Sequence, residues 1–177
     1  MGKVARILAG IGGALWLSAP ALAHPGHGGD GAGHELAQGF LHPFGGLDHI
    51  AVMAGLGVVA LAHGRGRLTA AGLALPAAFL GAMGLGLILA PVFPAVLAGA
   101  EIGILASLIF VAALLIAGPR APWALGLGLG ALSGLAHGAA HVGDAGAALQ
   151  PAYALGIMAG AIALHAAGLA LGAALYT

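Results

Sequence analysis

His42-Pro43-Phe44-Gly45-Gly46-Leu47-Asp48-His49 sets two imidazoles and a carboxylate at the start of a strongly apolar stretch. His137, His141 and Asp144 form a second set at the end of another. Imidazole nitrogen with carboxylate oxygen is a donor set for a divalent transition metal. Ionisable groups inside apolar segments are energetically costly and by default mark a substrate or ion path.

The spacing within each set has consequences. His42 and His49 are seven apart, so on a continuous helix they share a face but are separated by about 10.5 Å of rise. One ion reaches both only if the helix bends, and Pro43, Gly45 and Gly46 supply the means. Asp48 and His49 both reach an ion lying between helices, or Asp48 orients a histidine ligand. A plainer reading leaves His42 at the interface and Asp48 as a cap or partner of His49. His137 and His141 stand one turn apart on one helix face, a common way to present two imidazoles to one ion. Gly134 and Gly138 keep that neighbourhood slim, and Asp144 adds an oxygen ligand or neutralises charge. Here the plainer reading is an interhelical hydrogen-bonding pair.

Further candidates are more scattered. Glu101 reads as a third-segment ligand, a proton-coupling group or the partner of a histidine. His165 reads as a relay deeper in the path, and His63, beside Arg65, as a solvated loop residue. The tail residues His24 and His27, with His34 and Glu35, can capture metal, or form a solvated linker. A free amino-terminal histidine also chelates Cu²⁺. Nitrogen with some oxygen and no thiolate suits Ni²⁺, Co²⁺, Zn²⁺ or Cu²⁺ better than Mg²⁺ or Ca²⁺.

The elements that must position these groups lie in a membrane. Of 177 residues, 61% are hydrophobic and 6% charged, with mean hydropathy +1.08. A soluble domain carries about 25% charged residues, so this surface must face lipid. Five basic residues cannot form a phosphate-binding patch, which excludes nucleic acid. With no cysteine, disulfides, thiolate metal sites and cysteine nucleophiles are absent. No serine stands in a nucleophile motif, and no nucleotide-binding loop is present. The 34 glycines suit helices that approach closely in a bilayer.

Lys3 and Arg6, the apolar run Ile7 to Leu17 and Ala21-Leu22-Ala23 read as a signal peptide over 1–23. A histidine- and glycine-rich tail follows over 24–39, then a membrane domain over 40–177. The fold class expected is all-α: a polytopic helix bundle of about five helices after a cleaved signal, six hydrophobic segments in all. The five fall at about 40–62, 68–90, 94–117, 122–142 and 151–175. Cleavage puts the tail outside and the 63–67 and 118–122 loops inside. Arg65, Arg67 and Arg120, the basic residues of the mature chain, then all lie on the cytoplasmic side, as the positive-inside rule requires. His42, Asp48, His49, Glu101, His137, His141 and Asp144 fall at a similar external depth on three helices.

These residues resemble the HupE/UreJ family of nickel and cobalt permeases. His42, Pro43, Gly46, Asp48 and His49 match its His-Pro-x-x-Gly-x-Asp-His signature. His137, Gly138, Ala140 and His141 match its His-Gly-x-Ala-His-Gly-x-Glu signature, with Val142 in place of glycine and Asp144 in place of glutamate. Aspartate keeps the charge and shortens the reach by one methylene. The resemblance covers nearly the whole chain. It implies a secondary permease of the bacterial inner membrane, mature N-terminus periplasmic, carrying Ni²⁺ or Co²⁺ as substrate, with no resident cofactor, in support of enzymes such as hydrogenase or urease. The expected partners are the metal ion and the lipid bilayer, with room for a homo-oligomer. The alternatives are a permease for Cu²⁺ or Zn²⁺, a metal-dependent intramembrane enzyme, and a metal sensor whose short cytoplasmic loops offer little surface to a partner.

Overall fold

The computed structural model describes residues 31–93, 95, 98–145 and 149–176. The signal-peptide reading and the tail histidines His24 and His27 lie outside the described residues. Among the described residues six helices run in order: α1 (Ala32–Gly45), α2 (Leu47–His63), α3 (Ala70–Leu89), α4 (Ala100–Ala117), α5 (Trp123–Ala145) and α6 (Pro151–Tyr176), with a 3₁₀ turn at Gly118–Arg120 before α5. Among the described residues there is no strand.

Among the described residues three helices are long and apolar enough to cross a membrane: Ala70–Leu89, Ala100–Arg120 and Pro151–Tyr176. The pair α1 and α2 makes a fourth span if taken together, bent by 83°. The expected first segment is therefore two helices. Pro43 sits in the last turn of α1, where it has no N–H to donate, and Gly46 follows in extended backbone (φ −106°, ψ 122°). At 23 residues α5 is long enough to span, yet it falls outside that apolar set. Its glycines, Ser133, His137 and His141 lower its apolarity, because this helix carries half of the histidine cluster. Thr69 caps α3, its hydroxyl oxygen accepting the Gly72 N–H at 3.0 Å.

In lipid, helices gain little from burying apolar surface against one another, so close packing of small residues holds them together. Here α5 lies parallel against α3 along a glycine seam. A Cβ on Gly134 would collide with the Phe79 carbonyl, and one on Gly138 with that of Met83. A second seam joins α6 to both halves of the broken span. Gly156 and Gly160 meet the backbone of Leu36 and Phe40 in α1, and Gly168 meets Ala54 in α2. Thus α6 is the unbroken helix along which the broken span is laid. Between the seams the core is Val52, Met53, Leu56, Leu75, Phe79, Met83 and Ile157, all fully buried. Large apolar side chains point outward, with Ile109 at 74% and Ile116 at 70% exposure, as a lipid-facing surface requires.

One end of the bundle gathers all three arginines of the 63–67 and 118–122 connections. There His63 stacks on Trp123, ring centres 3.7 Å apart and planes within 11°, and the Trp123 indole N–H donates to the Ala71 carbonyl at 3.1 Å. The end of α2 and the starts of α3 and α5 are thereby pinned together. This corrects the reading of His63 as a solvated loop residue: it closes α2, partly buried, with its Nδ1 shielded from solvent.

Candidate metal centre

At the opposite end, the 83° bend turns α1 back over the start of α2. His42 and His49, too distant on a straight helix, come to 6.3 Å between ring centres. The last turns of α5 bring in the other pair. His141 lies 4.8 Å from His42 and 4.9 Å from His49, and His137 lies 5.0 Å from His49. Four imidazoles from three helices thus form one cluster, with His137 and His141 wholly buried.

The tautomers follow from what each ring touches. Carbonyl and carboxylate oxygens only accept, so a ring nitrogen bonded to one must carry the proton. His49 Nδ1 donates to Asp48 Oδ1 at 2.9 Å, and His137 Nδ1 donates to the Ser133 carbonyl at 2.8 Å. In each neutral ring the lone pair is then on Nε2, and both Nε2 atoms are buried with no protein partner. His141 has neither nitrogen partnered. A hydrogen bond of 2.9 Å joins His42 Nδ1 to the Tyr153 hydroxyl. Leaving a buried polar atom unpaired costs about 1–3 kcal/mol. Four such nitrogens in one cluster approach the whole stability of a domain, about 5–15 kcal/mol. That is a poor way to build a core and a good way to build a binding site.

Ring spacing agrees with a shared ion. Imidazoles bound tetrahedrally at about 2.0–2.1 Å have ring centres about 5 Å apart. The nitrogens are less converged than the rings: among the described residues no three His, Asp or Glu side chains form a ready coordination cage. The backbone sets where the rings stand, whereas small ring rotations suffice to reorient a nitrogen toward a shared ion.

Asp48 orients a histidine here, one of the two roles open to it from spacing. Its Oδ1 also accepts the His49 backbone N–H at 2.9 Å, which fixes the carboxylate in the first turn of α2. Gly46 makes the room. A Cβ there would fall 2.6 Å from Asp48 Oδ1 and 2.8 Å from His49 Nδ1. Gly46→Ala is expected to lower metal uptake about tenfold or more by displacing this pair, with helical content by circular dichroism unchanged. Wild-type uptake in that variant would show that the room at Gly46 is immaterial.

The other candidates are not gathered in. Glu101 is exposed in the first turn of α4, which begins at Ala100; Gly103, two residues on, packs against Ala136 of α5, so Glu101 is near the level of the rings but on the outer surface. His34 is exposed on α1. Asp144 lies near the end of α5, and its side chain is outside the described residues. His165, on α6, is buried, its Nδ1 donating to the Ala161 carbonyl at 2.8 Å and its Nε2 without a protein partner. Tyr153 was not foreseen. It lies 111 residues from His42, and no spacing rule links a tyrosine at one helix start to a histidine at another helix end.

Fold and site together define a helical membrane bundle with buried imidazoles at the break of a spanning segment. The chain belongs to the HupE/UreJ family, whose model, described as HupE / UreJ protein, matches residues 13–177. No curated protein and no solved structure matches the chain. Family membership makes a metal permease the reading at the level of class.

Proposed function

We propose that this protein is a secondary permease that carries Ni²⁺ or Co²⁺ across the inner membrane into the cytoplasm. The observation that supports it best is the pair His49 and His137, each with Nδ1 tied to an oxygen and Nε2 bare, set beside His141 and His42. Hydrogen bonding of the far nitrogen is what metal-ligating histidines generally have. A site at the break of a helix is also how many transporters place theirs. His42, His49, His137 and His141 replace water around the ion, and Asp48 offsets one of its two charges. Glu101 and Asp144 add negative charge near the entrance, and the tail histidines His24 and His27 deliver metal to it. The arginines at the far end set the orientation, that end being cytoplasmic by the positive-inside rule and the mature N-terminus periplasmic.

The deciding experiment measures cell-associated nickel, cobalt, copper and zinc by mass spectrometry in a transport-deficient host, with and without the protein. Accumulation of nickel or cobalt is expected. Copper or zinc in their place would keep the site and replace the substrate. Correct insertion with no accumulation of any metal would sink the permease reading, and turnover of a lipid or peptide would then put a metal-dependent intramembrane enzyme in its place.

A further inference from the structure

Between the cluster and the rest of the bundle stands Phe79. Its side chain is fully buried, with its ring centre 5.1 Å from that of His137 and 5.2 Å from that of His165. Depth follows the same order. Counting from the cluster end of each helix at 1.5 Å per residue, His137 lies about 12 Å in, Phe79 about 15 Å and His165 about 21 Å.

His165 is built like the cluster histidines. Its Nδ1 proton is committed to the Ala161 carbonyl, and its buried Nε2 keeps a bare lone pair. No polar side chain fills the interval. Among the described residues the other buried polar groups are Ser107 and Ser133, and each donates its hydroxyl to a carbonyl of its own helix. Phe79 belongs to an apolar core cluster that also holds Met53, Leu56, Met83, Ile157 and Leu164. An ion leaving the cluster therefore meets an apolar wall whose central element is one aromatic ring, with a single nitrogen donor behind it.

We propose that the Phe79 ring is the barrier between the four-imidazole cluster and a second holding point for the metal ion at His165. The proposal rests on the transport reading above. With the ring in place, an ion stays on the cluster side, since nothing in the wall replaces the ligands it would give up. When the ring swings aside, the electron-rich face of the benzene passes the cation along, and His165 Nε2 receives it before release toward the arginine end. Two holding points in series, each incomplete, allow an ion to enter and to leave.

The test uses the full chain reconstituted in lipid vesicles loaded with a fluorescent chelator, with Ni²⁺ or Co²⁺ supplied outside. Initial influx is read against metal concentration. His165→Ala is expected to lower the maximal rate about tenfold or more while the half-saturating concentration stays within about twofold, since entry to the cluster is untouched. Phe79→Ala is expected to raise downhill influx about fivefold or more. Phe79→Val shortens the side chain while keeping it apolar and moves influx in the same direction, so it carries the test if the alanine variant does not fold. Wild-type kinetics in His165→Ala, or no rise in a folded Phe79 variant, would overturn the proposal. His49→Ala and His141→Ala run in parallel: if they too transport normally, the cluster reading itself has failed, whereas if both are inactive the failure is confined to the barrier.

Discussion

His141→Ala is expected to abolish nickel and cobalt accumulation at matched membrane expression, and to leave the metal-free protein about as stable as before. His141 stands within 5 Å of two other imidazoles, and neither of its own nitrogens has a protein partner. Truncation removes a ligand, so the remaining rings cannot complete a coordination sphere. The stability half follows from two opposing effects. Opening a cavity in place of a large buried side chain costs about 2–5 kcal/mol. Removing two unpaired buried nitrogens returns about 1–3 kcal/mol each. These nearly cancel. Uptake by mass spectrometry and thermal unfolding in detergent check the two halves separately. Full uptake in a well-expressed variant would remove His141 from the site, and a collapse in stability would make the ring a packing element.

Asp48→Ala is expected to weaken metal binding by about 10–100-fold, the usual effect of losing the hydrogen-bond partner of a ligating histidine. Asp48 Oδ1 accepts from both the backbone N–H and the ring Nδ1 of His49, so one carboxylate sets the direction of that ring and which nitrogen bears its proton. Without it, the His49 proton is free to move to the nitrogen that faces the cluster. Asp48→Asn separates the two contributions, since an amide oxygen still accepts the Nδ1 proton and the negative charge is gone. Affinity intermediate between wild type and the alanine variant is the expected result by equilibrium dialysis with Ni²⁺. An alanine variant that binds as tightly as wild type would leave Asp48 without a part in the site.

How far this could be read beforehand depended on whether the information was local. Pro43, Gly45 and Gly46 announced a break, and the break is there because proline and extended glycine act on their own stretch of chain. The His137–His141 pair was legible because one helical turn separates the two. The exposure of Glu101 was not legible, because 94–117 reads as continuous apolar sequence and says nothing about which face of α4 meets α5. Tyr153, Phe79 and the His63–Trp123 stack were invisible for a different reason. Each is a neighbour from another helix, selected by which faces the glycine seams press together, and periodicity within one segment says nothing about the segment opposite.

Those seams have a mechanical side. Most helix interfaces are corrugated, with side chains interlocked like gear teeth, and axial displacement must lift one set over the other. Where Gly134 and Gly138 of α5 lie on the main chain of α3 at Phe79 and Met83, the contact is backbone against backbone and nearly smooth. Smooth contacts slide with little friction, and small shears of packed helices are an established way to move a domain. The glycines that let the histidine-bearing helix come close thus also make it a sliding rail, with the cluster at one end and the Trp123–His63 stack as the catch at the other.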